Sequence, residues 1–156
     1  MKYINGRTAI AIVIFVLGAL LISPTLVRGN GTTVSINDIC ETEGDAGKIT
    51  VSFLATLAGD VCDKDNQRGN IVVEYTAGGG TAGRGVDYEV VGDRVLFGGF
   101  PLCQTTAGIQ TDIYGDTEPE NDENFFVNLT KVRTGNATIA DGEGEGTIQN
   151  DEDGNG

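Results

Sequence analysis

The chain has 156 residues, enough for one domain with a substantial hydrophobic core, and its formal net charge is −13. It has no histidine, which excludes the Ser-His-Asp and Cys-His catalytic arrangements and the imidazole ligands of most zinc and copper sites. The 23 Asp and Glu against 10 Lys and Arg argue against nucleic acid as a partner and favour either hard cations or a solvated surface.

The first part of the chain has the layout of an export signal. Two basic residues precede an apolar run, residues 8–22, and small residues follow up to Gly29. The flank is not an Ala-x-Ala motif, so an uncleaved membrane anchor stays open as the alternative to cleavage. We expect residues 1–29 to be a signal peptide or an N-terminal anchor, and residues 30–156 to be one domain that is secreted or held at the cell surface.

Beyond residue 30 the apolar residues recur at every second position, as in half-buried strands, and no long stretch has a helical period. Seven such segments occur in chain order: TVSINDI, KITVSFLATL, NIVVEYTA, DRVLF, AGIQTDIY, ENFFVNLTKV and GTIQN. In the clearest of them Ile49, Val51, Phe53, Ala55 and Leu57 share one face. Clusters of Gly, Asp and Asn separate the segments and supply turns. The pattern predicts an all-β, seven-stranded, immunoglobulin-like Greek-key β-sandwich.

The three cysteines are an odd number for a chain in an oxidising compartment. Cys62 and Cys103 lie in loop-like sequence, whereas Cys40 lies among alternating apolar residues. We therefore expect a Cys62–Cys103 disulfide, with Cys40 buried and free. Three free thiols are the alternative.

Two motifs have the spacing of known sites but lack their context. Residues 78–83, GGGTAG, have the spacing of the dinucleotide fingerprint, but strand-like sequence follows where that fingerprint needs a helix. Residues 141–152, DGEGEGTIQNDE, have the spacing of an EF-hand without its flanking helices. We interpret the first as a flexible loop and the second as carboxylates that bind a cation only in another framework.

The densest group of carboxylates lies in residues 115–130, GDTEPENDENFFVNLT, where an acidic loop leads into an apolar strand. The acidic residues are Asp116, Glu118, Glu120, Asp122 and Glu123. Carboxylates held close together repel one another, and a calcium ion with six to eight oxygen ligands relieves that repulsion. Taken alone, the segment is equally compatible with a solvated acidic loop.

Three further acidic segments accompany this loop: ETEGDAG, GRGVDYEV and ATIADGEGEGTIQNDED. In this order and spacing they resemble the Calx-beta domain family, first recognised in sodium/calcium exchangers, and the chain is similar to its bacterial members. The resemblance runs from about Thr33 to Asp153, and GTAGRGVDY, DTEPENDENFFVNL and NATIADGEGEGTIQND are together specific. It implies a seven-stranded sandwich with calcium at one end, between inter-strand loops and the tail of the last strand.

Position by position, the resemblance implies a calcium site built from hard oxygen donors. The implied ligands are the side chains of Glu43, Asp87, Asp116, Glu120, Glu123, Asp151 and Glu152 and the backbone carbonyl of Glu118. The exchanger domains carry Asp at the positions of Gly115, Thr117 and Asn150, so we expect fewer or more weakly bound ions here. The expected dissociation constant is on the order of 0.1 to 1 mM, as in other extracellular calcium modules.

These features favour an exported calcium-binding module with a role in adhesion, the cell surface or the extracellular matrix, and not an enzyme. A related alternative is a self-assembling extracellular subunit in which calcium bridges neighbouring copies. An acidic-residue glycosidase is the alternative from another class, but no tryptophan or aromatic platform supports it. The expected partners are calcium ions, and other copies of the chain or surface components. We expect no nucleic acid, and membrane contact only through residues 1–29.

Overall fold

The computed structural model describes residues 31–59 and 68–152. The expected signal peptide or anchor, residues 1–29, lies outside the described residues, and so does Cys62. In the part that is described, no helix is long and apolar enough to cross a membrane.

The described chain is all β and forms two sheets. The strands are β1 Thr33–Ile36, β2 Ile39–Thr42, β3 Gly47–Ala58, β4 Ile71–Gly78, β5 Tyr88–Val90, β6 Arg94–Phe97, β7 Thr106–Gly115, β8 Glu123–Thr134, β9 Thr138–Asp141 and β10 Glu143–Gln149. One sheet has the order β5-β7-β3-β1-β9 and the other β2-β10-β8-β4-β6. The two sheets enclose one core, which confirms the β-sandwich expected from the period-two pattern.

The described chain has three strands more than the seven expected: one arises because the first segment divides where the chain changes sheet, and two lie outside the expected segments. The first segment divides at Asn37 and Asp38 into β1 and β2. The Asn37 side chain accepts a hydrogen bond from the Leu54 N–H in β3, and the Asp38 carboxylate accepts one from the Glu145 N–H in β10 at 2.8 Å. These two side chains therefore anchor the segment between β1 and β2 to both sheets. The short strands β5 and β9 lie outside the expected segments, and β9 is separated from β10 at Gly142, where the chain changes sheet.

The first and last strands lie side by side in both sheets. β1 pairs in parallel with β9, and β2 pairs in parallel with β10, whereas the other pairings are antiparallel. Residues 143–149 are thus a strand and not an EF-hand loop, and residues 79–87 connect β4 to β5 without a helix.

Most of the core consists of the inward residues that the alternation predicts, and Ala82, Tyr88 and Val90 add to it from outside the expected segments. The buried ones include Val34, Ile36, Phe53, Ala55, Leu57, Ile71, Val73, Tyr75, Val95, Phe97, Ile109, Ile113, Phe125, Val127, Leu129 and Ile148. Phe125 stacks on Tyr88 with ring centroids 3.9 Å apart and meets Phe53 edge-on at 5.8 Å. Ile49 was expected on the same face but is 36% exposed, since the first four residues of β3 all lie in solvent.

The cysteines agree in part with expectation. Cys103 is disulfide-bonded and Cys40 is free. The pairing of Cys103 with Cys62 stays a prediction. The expected burial of Cys40 is wrong: its side chain is exposed, because β2 is an edge strand and Cys40 lies on its outer face between the half-buried Ile39 and Glu41.

Candidate metal centre

Several strand ends meet at one end of the sandwich. β2 and β10 end side by side, with Thr42 opposite Gln149, and β8 begins beside them. β7 ends at Gly115, opposite the first residue of β3. These ends bring together four segments: residues 43–46, 79–87, 116–122 and 150–152.

Gly115 allows the end of β7 to approach the Glu43 segment closely. A Cβ atom at this position would lie 1.9 Å from the Gly44 carbonyl oxygen and 2.7 Å from that of Glu43. Any side chain here would therefore displace the segment that carries Glu43. The Asp that the exchanger domains carry at the position of Gly115 would therefore not fit this packing.

Glu43, Asp151 and Glu152 form the first carboxylate group, with one oxygen of each within 4.8 Å of the others. Glu43 is 7% exposed. Asp151 is exposed and accepts a hydrogen bond from the Gly44 N–H at 3.2 Å. Both side-chain oxygens of Glu152 are buried and have no hydrogen-bond partner among the described residues. Buried carboxylate oxygens without partners are costly unless a cation meets them, so this group has the chemistry of a cation site.

Asp87, Glu120 and Glu123 form the second carboxylate group by the same 4.8 Å criterion. The Asp87 carboxylate accepts a hydrogen bond from the Gly83 N–H at 2.6 Å, and its backbone carbonyl accepts one from the Tyr114 N–H at 2.9 Å. The loop and β7 thus fix Asp87 from two sides. Glu120 is exposed and Glu123 is half-buried, so the group opens to solvent on the Glu120 side.

Burial is the main reason why Glu43 ionises less readily than a carboxyl group in water. Burial, the largest cause, and then the negative charges of Asp116, Glu152, Glu120 and Asp151 in that order together raise the pKa of Glu43 from 4.5 to about 7. Glu120 belongs to the second group, so the two groups act on each other electrostatically.

Glu123 is perturbed in the same direction. Burial is the first cause that raises the pKa of Glu123, followed by a hydrogen bond to Asp87 and by the charges of Asp87 and Glu120. A divalent cation at either group would reverse these effects, because it favours the ionised form of its ligands.

Two basic residues that lie within or just after these loop segments in sequence are paired with other carboxylates. Lys48 pairs with Asp112, and Arg84 pairs with Glu89 at 2.6 Å. Neither Asp112 nor Glu89 is a member of the first or the second carboxylate group. These pairs leave the two groups available to a cation from solution.

Six of the eight expected ligands fall into the two carboxylate groups. Asp116 is exposed and outside both, but its charge is the first of those that raise the pKa of Glu43. Glu118 is also exposed, and its N–H donates to the Asp116 carboxylate at 2.7 Å. The expected role of the Glu118 carbonyl stays a prediction.

Two asparagines that were not assigned to the site hold its loops. Asn124 accepts a hydrogen bond from the Thr81 N–H at 3.1 Å and donates to the Glu145 carboxylate at 2.8 Å. Asn150 donates to the backbone carbonyls of Glu120 and Glu152. Uncharged amides leave no charge pattern in a sequence. The available signal is their position next to an expected ligand, directly after Glu123 and directly before Asp151.

Comparison with known proteins identifies the family of the chain. The family model of the Calx-beta domain matches residues 60–153, more than half of the chain. The chain belongs to the Calx-beta domain family. The match includes Asp87, the 116–122 loop and the tail, whereas Glu43 precedes it.

Solved Calx structures share the fold of this Calx-beta domain. The apo-form Calx CBD1 domain superposes with a TM-score of 0.60 at 20% identity, covering 78% of this chain and 99% of that one. The calcium binding domain CBD12 of CALX1.1 gives a TM-score of 0.57 at 21% identity, covering 76% of this chain and 44% of that one. At this level of identity the likeness shows a common β-sandwich.

A curated relative is the adhesion G-protein coupled receptor V1 of Danio rerio. It is 43% identical to this Calx-beta domain over 67 residues, which are 43% of this chain and 1% of the receptor. The chain therefore spans about one hundredth of that relative's length.

Proposed function

We propose that the chain is an exported calcium-binding module with a structural role at the cell surface or in the extracellular matrix, such as adhesion, and that it is not an enzyme. The observation that carries the proposal is the buried, unpartnered carboxylate of Glu152 beside Glu43 and Asp151. The name of a solved relative, calcium binding domain CBD12 of CALX1.1, gives further support.

Calcium suits the donor set better than other common metal ions. Both carboxylate groups offer oxygen ligands alone, which excludes the sulfur and imidazole sites that zinc and copper prefer. Calcium accepts six to eight oxygens in flexible geometry, and water completes a shell that three carboxylates begin. Asp116 and the Glu118 carbonyl are further candidates for that shell.

Export is supported by three observations of different kinds. Residues 1–29 have the basic, apolar and small-residue succession of a signal peptide or anchor. Cys103 is disulfide-bonded, as is typical of oxidising compartments. The relative from Danio rerio is by its name an adhesion receptor.

The test is the melting temperature of the wild-type protein and of Glu120→Gln, each measured with excess chelator and with millimolar calcium. Calcium at 100 times the dissociation constant adds about 2.7 kcal/mol to the native state, which raises the melting temperature of a domain of this size by about 10 °C. Glu120→Gln keeps the shape of the side chain and removes one charge. It should reduce the calcium-dependent rise far more than it changes calcium-free stability.

Magnesium is the matched control, and it should stabilise much less because it prefers six tight ligands and keeps its waters. Coincident wild-type curves with chelator and with calcium would mean that the acidic end is only a solvated surface. Equal shifts for both proteins would mean that calcium binds away from Glu120.

Calcium-bridged assembly of several copies is a second candidate. Each carboxylate group has an exposed member, Asp151 in the first and Glu120 in the second, so a bound ion is open to ligands from a neighbouring copy. Light scattering during the calcium titration distinguishes the candidates, because bridging raises the mass with calcium and a monomeric module keeps it constant.

A further inference from the structure

We propose that Asn150 is a latch that holds the two carboxylate groups in position without a cation, so that calcium binds to a preformed site and stabilises the module without changing its shape. The part of this inference that concerns calcium rests on the proposed function. The part that concerns loop order does not.

The hydrogen bonds of Asn150 connect the segments that carry the two groups. Its side-chain amide donates to the Glu120 carbonyl at 2.9 Å and to the Glu152 carbonyl at 3.2 Å. Its side-chain oxygen accepts from the Glu152 N–H at 3.4 Å, and its own N–H donates to the Asp122 carboxylate at 3.3 Å. Glu120 belongs to the second group and Glu152 to the first. One residue thus ties the 116–122 loop to the 150–152 tail.

The tail is also fixed to the other side of the first group. The Gly44 N–H donates to Asp151 at 3.2 Å, and the Glu43 N–H donates to the Gln149 carbonyl at 3.2 Å. With Asn150 these contacts form a continuous chain of hydrogen bonds from the Glu43 segment through the tail to the Glu120 loop. None of them needs a metal ion.

An uncharged amide is the side chain best suited to this position. A lysine or arginine here would compete with calcium for the carboxylates, and a carboxylate would add repulsion and supply no donors. An amide supplies two donors and one acceptor and leaves the net charge unchanged. The loops are therefore held together while their carboxylates stay available.

A preformed site has a functional consequence. A cation that must order flexible loops spends part of its binding free energy on that ordering, whereas a cation that enters an ordered site does not. Calcium then acts on this module as a stabilising ion and not as a signal that changes its conformation.

The first experiment measures backbone order parameters of residues 116–122 and 150–152 by NMR in excess chelator. Wild-type values near 0.85 are expected, as in rigid backbone, and values below about 0.6 in Asn150→Ala. Asn70→Ala is the matched control. Asn70 also joins two loops, through a 2.8 Å hydrogen bond from the Gly99 N–H, but at the opposite end of the sandwich. It should leave the order of residues 116–122 unchanged.

The second experiment measures calcium affinity by calorimetry. Asn150→Ala should bind about tenfold more weakly, because calcium must then order the loops. Asn150→Asp loses the same donors but adds a ligand charge. It should therefore match Asn150→Ala in loop order with chelator and exceed it in calcium affinity. Asn70→Ala should keep wild-type affinity even where its melting temperature falls.

Three results would overturn the latch: wild-type loops that are flexible in chelator, loops that stay ordered in Asn150→Ala, or an unchanged calcium affinity in that variant. A wild-type protein that binds no calcium would instead refute the proposed function, and with it a preformed calcium site. The order parameters in chelator would still decide whether Asn150 holds the loops.

Discussion

At the scale of single residues, Glu43 makes the calcium-free protein sensitive to pH. Its folded pKa of about 7 lies above the ordinary value of 4.5, mainly because the side chain is buried. Below pH 4.5 the group is protonated in both the folded and the unfolded state and costs nothing. Between pH 4.5 and about 7 the folded state alone retains the proton, so stability falls across this window and the loss is complete above it.

Glu43→Gln should remove this penalty. In excess chelator we expect the variant and the wild type to unfold at similar denaturant concentrations at about pH 4, and the variant to be more stable by about 2 to 3 kcal/mol at about pH 8.5. Denaturant unfolding across this range measures the difference. With saturating calcium the order should reverse, because the variant lacks one of the proposed ligands. Parallel curves with chelator would show that Glu43 is well solvated.

The residue types of the site were predictable from the sequence, but their grouping was not. Carboxylates clustered next to strand ends identify candidates for a calcium site. Which of them share an ion depends on contacts between distant segments. Glu43 meets Glu152 across more than one hundred positions, and Glu120 and Glu123 join Asp87 from another loop. The latch residue Asn150 carries no charge, so its role depends on hydrogen bonds that only the fold creates.

At the scale of elements, β10 is the strand that the sequence describes least well. Its core-facing positions alternate with polar ones, but two of them are glycines, Gly144 and Gly146, and only Ile148 is apolar. A strand whose inward residues are glycines lacks the hydrophobic signal on which a period-two prediction depends. The same reason explains why only its last part, GTIQN, was expected.

Gly146 leaves the space that the Phe125 ring occupies. A Cβ atom at Gly146 would lie 2.4 Å from the end of that ring. The ring is stacked on Tyr88 and packed edge-on against Phe53, so it has little room to move. Gly146→Ala should therefore destabilise the protein by about 1 to 3 kcal/mol, as overpacking does in other cores. Thermal unfolding in excess chelator measures the loss.

Gly69→Ala is the control for this substitution. Among the described residues nothing lies within 4 Å of a Cβ at Gly69. A methyl group there should leave the melting temperature unchanged or raise it slightly, since it restricts the unfolded chain. Equal stability of the Gly146 and Gly69 variants would mean that the aromatic cluster around Phe125 is loosely packed.

At the scale of the whole molecule, the period-two pattern sufficed for the sandwich but not for its sheet order. Alternation identifies strands and their inward faces, and it predicted most of the buried side chains of both sheets. The parallel pairing of the first and last strands joins parts of the chain that are far apart in sequence. No local pattern records such a pairing.

The whole molecule also carries an uneven charge. Both carboxylate groups, together with Asp116, Glu118 and Asp122, lie at one end of the sandwich. Without the three positive charges of residues 1–29, the net charge of residues 30–156 is −16. Self-repulsion at this end therefore opposes folding whenever calcium is absent.

Salt should accordingly stabilise the calcium-free protein. The Debye length falls from about 30 Å at about 0.01 M to about 8 Å at about 0.15 M, so moderate salt screens repulsion between carboxylates on neighbouring loops. In excess chelator we expect the melting temperature to rise by several degrees over this range, and choline chloride should match sodium chloride if screening, and not sodium binding, is the cause. With saturating calcium the rise should be smaller, since ions at the proposed site would already neutralise the groups. A melting temperature that falls with salt would instead mean that surface ion pairs such as Lys48–Asp112 and Arg84–Glu89 contribute more to stability than the acidic end takes away.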